Sequence, residues 1–124
     1  MEIILSSSSS KPIYEQIVMQ IKEMIMSGEL KSDDSLPSMR KLAKDLHVSI
    51  ITTQRAYDEL VKDGFIYVIP AKGAFVAKQN KDFIREEKLR RVEEQMGKIC
   101  TMAKLSGITI GELEQILHLM YEES

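Results

Sequence analysis

Between Val48 and Tyr57 the chain reads VSIITTQRAY, and the polar residues in this run share one kind of chemistry. Ser49, Thr52 and Thr53 carry hydroxyls that can bond phosphate oxygens or base edges. Gln54 can bond adenine through two parallel hydrogen bonds, and Arg55 can pair with guanine or with a phosphate. Carboxylates are absent from Val48 to Tyr57 and resume at Asp58, so nothing in the run repels a phosphate. Other chemistry is poorly provided for. The two histidines, His47 and His118, and the one cysteine, Cys100, have no metal-ligand spacing. His47 reads as a solvated turn residue, His118 as a helix-surface residue, and Cys100 as a buried thiol beside Ile99. Glu86-Glu87 and Glu93-Glu94 alternate with Lys88 and Arg90-Arg91, the pattern of a solvated helix face. With no nucleophile motif and no phosphate loop, the sequence predicts no catalytic residue, no metal site, no cofactor and no enzymatic activity.

The elements that must position this run are legible on both sides of it. Pro37 and Ser38 start a helix, and Leu42, Ala43 and Leu46 recur on one face of it. His47 stands where the chain must turn, a position that often needs positive φ. Ser49 offers a second N-cap, and Ile50 to Lys62 reads as a helix with Ala56, Leu60 and Val61 inward, closed by Asp63-Gly64. Phe65 to Ile69 and Ala74 to Ala77 are β-rich runs around Pro70-Ala71-Lys72-Gly73, a hairpin. Helix, tight turn, helix, hairpin is the plan of a winged helix-turn-helix, whose second helix enters the DNA major groove.

This stretch resembles the DNA-binding domain of the GntR family of bacterial transcription regulators, in its YtrA-type branch. The resemblance is carried by Pro12-Ile13-Tyr14-Glu15-Gln16-Ile17, Leu36-Pro37-Ser38-x-Arg40, Gln54-Arg55-Ala56-Tyr57 and Lys72-Gly73-x-Phe75-Val76, over about the first two thirds of the chain. It implies that Arg40, Ser49, Thr52, Thr53, Gln54 and Arg55 read or clamp the major groove. Ser38 and Lys44 would hold phosphates, and Lys72 and Gly73 would reach the minor groove. It also implies a helical tail that dimerises the chain, and often a transporter operon as target. Two departures are visible. Ile50 and Ile51 open the helix where relatives usually place a polar or basic residue, which favours thymine methyls. Ala71 and Ala74 replace residues that are usually glycine and threonine, and Pro70 stands where a basic residue is common.

The rest of the chain frames this centre. Met1 to Leu5 is a short apolar run suited to an edge strand or to lying against the body, and Ser6 to Ser10 reads as a flexible connector. Ser10 is a plausible N-cap with Pro12 in the first turn, and Ile13, Ile17, Ile21, Met24 and Ile25 then mark an amphipathic helix ending at Ser27-Gly28. Tyr14 reads as a core-edge residue, and Glu29 to Ser35 as a polar connector. Beyond the linker Lys78 to Lys81, Leu89, Val92, Met96, Ile99 and Ala103 form a heptad seam, interrupted by Gly97 as a bend or a close packing point. Thr109 to Glu112 is a capping box, and Ile110, Leu113, Ile116, Leu117 and Met120 give the last helix one apolar face. Two short helices cannot bury such a seam alone, so a second copy is expected on it.

Residues 1–80 therefore read as the winged domain and 81–124 as a dimerisation tail. The fold class is mainly α with a small β wing. Of 124 residues, 44% are hydrophobic and 29% charged, the range of an ordinary globular protein. The winged part holds ten basic and ten acidic side chains, so charge alone neither supports nor opposes DNA binding. No run is long enough to span a membrane, and MEIIL lacks the basic region of a signal peptide, so a cytoplasmic setting without membrane contact is expected. The function expected is a repressor binding a palindromic duplex operator as a homodimer, with any small-molecule effector left open. The alternative is a winged-helix adaptor that binds protein and not DNA.

Overall fold

Ile17, Ile21, Met24 and Ile25, spaced three and four apart, are all buried, and their common face fixes helix α1 (Ile13–Met26). The computed structural model describes residues 1–124. Helix α2 (Met39–Leu46) and helix α3 (Ile50–Lys62) follow, then strands β1 (Ile66–Ile69) and β2 (Gly73–Val76). Helices α4 (Lys81–Leu105) and α5 (Ile110–Glu123) complete the chain. The fold is mainly helical with a two-stranded antiparallel wing, a winged helix-turn-helix. The chain divides into two compact units, Met1–Asn80 and Lys81–Ser124.

In the first unit α3 is the hub. It packs on α1 and α2 and continues into β1, burying Thr53, Ala56, Tyr57 and Leu60. Val61 is 43% exposed, contrary to the inward position expected for it. The buried stripe runs 53–56–57–60, and Val61 lies one helical step beyond Leu60, about 100° round the axis. The α2–α3 turn rests on local chemistry. Ser38 Oγ caps α2 by accepting from Lys41 N–H at 3.1 Å, and His47 ends that helix at φ 57, ψ 43, the left-handed conformation expected of it. Ser49 Oγ caps α3 by accepting from Thr52 N–H at 3.1 Å. Lys22 Nζ ties α1 to the end of α3 through Asp63 at 2.8 Å.

The strands pair in the register Ile66 with Val76 through Ile69 with Gly73. The polar connector before α2 turns out to do more than connect. Val76 N–H donates to Asp34 O at 2.9 Å and Leu36 N–H to Ala74 O at 2.9 Å, so residues 34–36 form one antiparallel bridge, Ser35 opposite Phe75, on the free edge of β2. At the tip, Lys72 N–H donates to Ile69 O at 3.0 Å, closing a turn with Pro70 second and Ala71 third at φ 66. That is a type II turn, which accounts for Pro70 and asks for glycine where Ala71 stands. Gly73 follows at φ 117, where a side chain is strained even with open space around it. Gly73→Ala is therefore expected to destabilise the domain by about 1–3 kcal/mol, and Ala71→Gly to change it by less than about 1 kcal/mol, in favour of the fold. Denaturant unfolding of both variants checks the contrast.

The serine run is not a loose connector. Gln16 Nε2 donates to Ser6 O and Lys11 O, each at 3.0 Å, while its Oε1 accepts from Ser6 N–H at 2.8 Å. One turn later Gln20 does the same for Ile4, accepting from its N–H at 2.9 Å and donating to its carbonyl at 2.7 Å. The leading segment thus forms no strand and lies on α1, held by two glutamine amides acting as peptide groups. The N-cap of α1 is Pro12 and not Ser10, with no side-chain cap bond.

In the second unit, α4 carries Leu89, Val92, Met96 and Ile99 exposed, and α5 carries Ile116, Leu117 and Met120 exposed. Ala103, expected on the same seam, is 3% exposed. It sits at the α4–α5 corner, where its carbonyl accepts from Ile108 N–H at 2.9 Å and Gly107 adopts φ 72. Thr109 and Glu112 form the capping box in full. No atom lies within 4 Å of a side chain built at Gly97, which rules out close packing there within the chain. Cys100 is exposed rather than buried, beside the groove between α4 and α5. No helix is long and apolar enough to cross a membrane.

Candidate nucleic-acid interface

Three elements converge on one groove of about 330 Å³. The start of α2 contributes Pro37, Ser38, Met39 and Arg40, the start of α3 contributes Ile50, and the wing contributes Val68, Gly73 and Ala74. Ser38 and Arg40 are exposed at its rim, as are Lys72 and Gly73 at the wing tip. Lys44 is exposed on the last turn of α2. Gln54 and Arg55 are exposed on α3. Ser49 Oγ and Thr52 Oγ1 lie 2.8 Å apart, so one hydroxyl proton is shared between them and the other remains to be donated outward.

Thr53 is the correction. Its side chain is 0% exposed, and its hydroxyl is within bonding distance of Met39 O at 3.0 Å and Ile50 O at 2.9 Å. It fastens the start of α2 to α3 and cannot touch DNA. The signal was in the sequence: Thr53 precedes Ala56, Tyr57 and Leu60 by three, four and seven residues, the spacing of the buried face. Lys41, counted by its charge with the basic residues of this half, is engaged on the surface with Asp45 at 3.1 Å.

Two aromatic residues support the site from behind. Tyr57 Oη donates to Pro37 O at 2.7 Å and so fixes the approach to α2. Burial holds the Tyr57 phenol well above its ordinary range. A raised folded-state value means that its contribution is fully present below about pH 10 and is lost as pH climbs from there. Tyr57→Phe is expected to cost about 1–3 kcal/mol at neutral pH, because Pro37 O loses its donor, and to flatten the loss of stability above pH 10. Unfolding curves at pH 7 and above 10 check both. Tyr14, which reads from sequence as a core-edge residue, meets Arg55. The Arg55 guanidinium carbon lies 3.9 Å from the Tyr14 ring centroid, and Nη2 donates to Tyr14 Oη at 3.3 Å. Nothing in the spacing of α1 alone reveals that partner. In the wing, Tyr67 stacks on Phe75 with centroids 5.6 Å apart and donates to Asp33 Oδ1 at 2.8 Å, which raises the Tyr67 phenol above its ordinary value.

The family model described as bacterial regulatory proteins, gntR family, matches residues 13–76. A curated relative, the HTH-type transcriptional repressor YtrA of Bacillus subtilis (strain 168), is 34% identical over 107 residues, covering 86% of this chain and 82% of that protein. Among solved structures, YtrA from Sulfolobus acidocaldarius, a GntR-family transcription factor, is 35% identical over 98% of this chain and 97% of that one, with a TM-score of 0.59. The AraR DNA-binding domain in complex with operator ORX1 is 29% identical, covers 62% of this chain and 96% of that one, and superposes with a TM-score of 0.55.

Proposed function

The chain belongs to the gntR family of bacterial regulatory proteins, and from that membership we infer a repressor that acts as a homodimer on a palindromic operator. It is a DNA-binding transcription regulator and not an enzyme. The observation that carries the finer reading is the convergence of α2, α3 and the wing on one groove, with Ser38, Arg40 and Gly73 around it. In this reading α3 lies in the major groove, where Gln54 and Thr52 meet base edges. Arg40, Lys44, Ser38 and Ser49 hold the backbone, and Lys72 and Gly73 approach the minor groove.

The homodimer is supported by the second unit. Its exposed apolar side chains include Leu89, Val92, Met96, Ile99, Ile116, Leu117, Met120 and Tyr121, more than a solvated helix pair carries singly. Leu113 is half-buried in the groove between α4 and α5, so it supports the seam from below. A two-fold dimer buries the same patch of both copies and presents two recognition helices, which calls for an inverted repeat.

In vitro selection of duplexes bound by the full chain tests this. An inverted repeat with fixed spacing, bound with steep salt dependence, is the expected result. Single half-sites without a preferred spacing would remove the dimer. No salt-sensitive binding to any duplex would favour the protein adaptor instead.

A further inference from the structure

Helix α3 opens with two isoleucines that the core leaves exposed. Ile51 is 78% exposed and Ile50 42%, although branched alkyl groups are what a core takes first. No repacking draws Ile51 inward, since it lies two residues before buried Thr53 and so about 200° round the helix from it. Across the groove from Ile50 stands Val68 of the wing, itself 47% exposed. Gln54 follows Ile51 by three residues and Ile50 by four, which sets its amide on their face.

A family member must meet DNA with this surface, and in the major groove an alkyl group has one complementary target. The 5-methyl of thymine is the one alkyl group there; cytosine offers only a C5–H at the same position, and the nitrogen and oxygen atoms of the edges are donors or acceptors that an alkyl group would leave dry and unpaired. We propose that Ile51, flanked by Ile50, is a specificity-determining residue that selects thymine through its 5-methyl group, while Gln54 bonds the adenine of an adjacent A·T pair. The inference rests on α3 being the helix that contacts bases. Branching at Cβ confines Ile51 to one dominant helical rotamer, so the methyl contact is held in place before DNA arrives.

The test uses the full chain and a selected operator in which each thymine is replaced in turn by uracil. That exchange removes the methyl and leaves every hydrogen-bonding edge unchanged. One or two thymines per half-site are expected to lose about fourfold to fifteenfold in affinity, the scale of one or two buried carbons. In Ile51→Ala the same replacements are expected to change affinity by less than about twofold, and Ile51→Val is expected to keep most of the wild-type sensitivity. Unchanged helical circular dichroism in Ile51→Ala excludes unfolding as the cause. A flat uracil scan on a bound operator overturns the proposal. So does a scan whose sensitive thymines persist in Ile51→Ala. Failure of the wild type to bind any duplex is a different result, and defeats the base-contacting role of α3 together with the inference.

Discussion

A glutamate in place of Ile99 or Leu117 is expected to leave the protein monomeric and to weaken operator binding by about 10²–10⁴-fold. Both side chains are exposed on the tail and line the apolar groove between α4 and α5. A charge there meets water in the monomer and costs little. In a dimer it must be desolvated against a like charge from the second copy, which costs several kcal/mol. Operator affinity falls much further than any single contact explains, because the second half-site no longer binds intramolecularly. Sedimentation at micromolar concentration and operator titration measure the two effects separately. A variant that stays dimeric at full affinity would move the interface away from the tail.

The sequence carries the helix-turn-helix with little ambiguity because its signals are local. Ser38, His47, Ser49 and Gly64 each act within a few residues, as a cap, a left-handed turn or a helix stop, and each stands where the expectation puts it. Long-range bonds are a different matter. The clamp of Gln16 on Ser6 and of Gln20 on Ile4 joins residues ten and sixteen apart in sequence, and a glutamine in a helical run reads the same with or without such a partner. The bridge of Ser35 onto β2 hides for the same reason, since a run of polar turn formers has no strand pattern of its own. Thr53 shows the converse error. A hydroxyl beside Gln54 invites a contact with DNA, but its place on the 53–56–57–60 stripe decides where it points, and periodicity outranks residue type. In the tail it is the heptad count that misleads: it puts Ala103 on the exposed seam, but the chain folding back at Gly107 buries it at the corner between α4 and α5.

Arg55→Ala is expected to weaken binding to the operator and to random duplex by the same factor, about tenfold to a hundredfold, the scale of hydrogen bonds to a charged group. The sequence allows Arg55 either a guanine or a phosphate, and the geometry favours the phosphate. One face of the guanidinium is covered by the Tyr14 ring, 3.9 Å from its centroid, and Nη2 is drawn toward Tyr14 Oη. Reading guanine requires the side chain to extend into the groove with two parallel N–H groups aimed at one base edge. Stacking on α1 instead holds it back toward the start of that helix, with in-plane N–H groups left for a passing phosphate. Neutralising one phosphate fewer should also lower the slope of log affinity against log salt by about 0.9. Tyr14→Leu is expected to lose about twofold to fivefold by releasing Arg55, the worth of an exposed cation–π contact, and to lose nothing more when Arg55 is already alanine. If Arg55→Ala instead weakens only the operator and leaves random duplex and the salt slope untouched, Arg55 reads a base and the stack on Tyr14 opens when DNA binds.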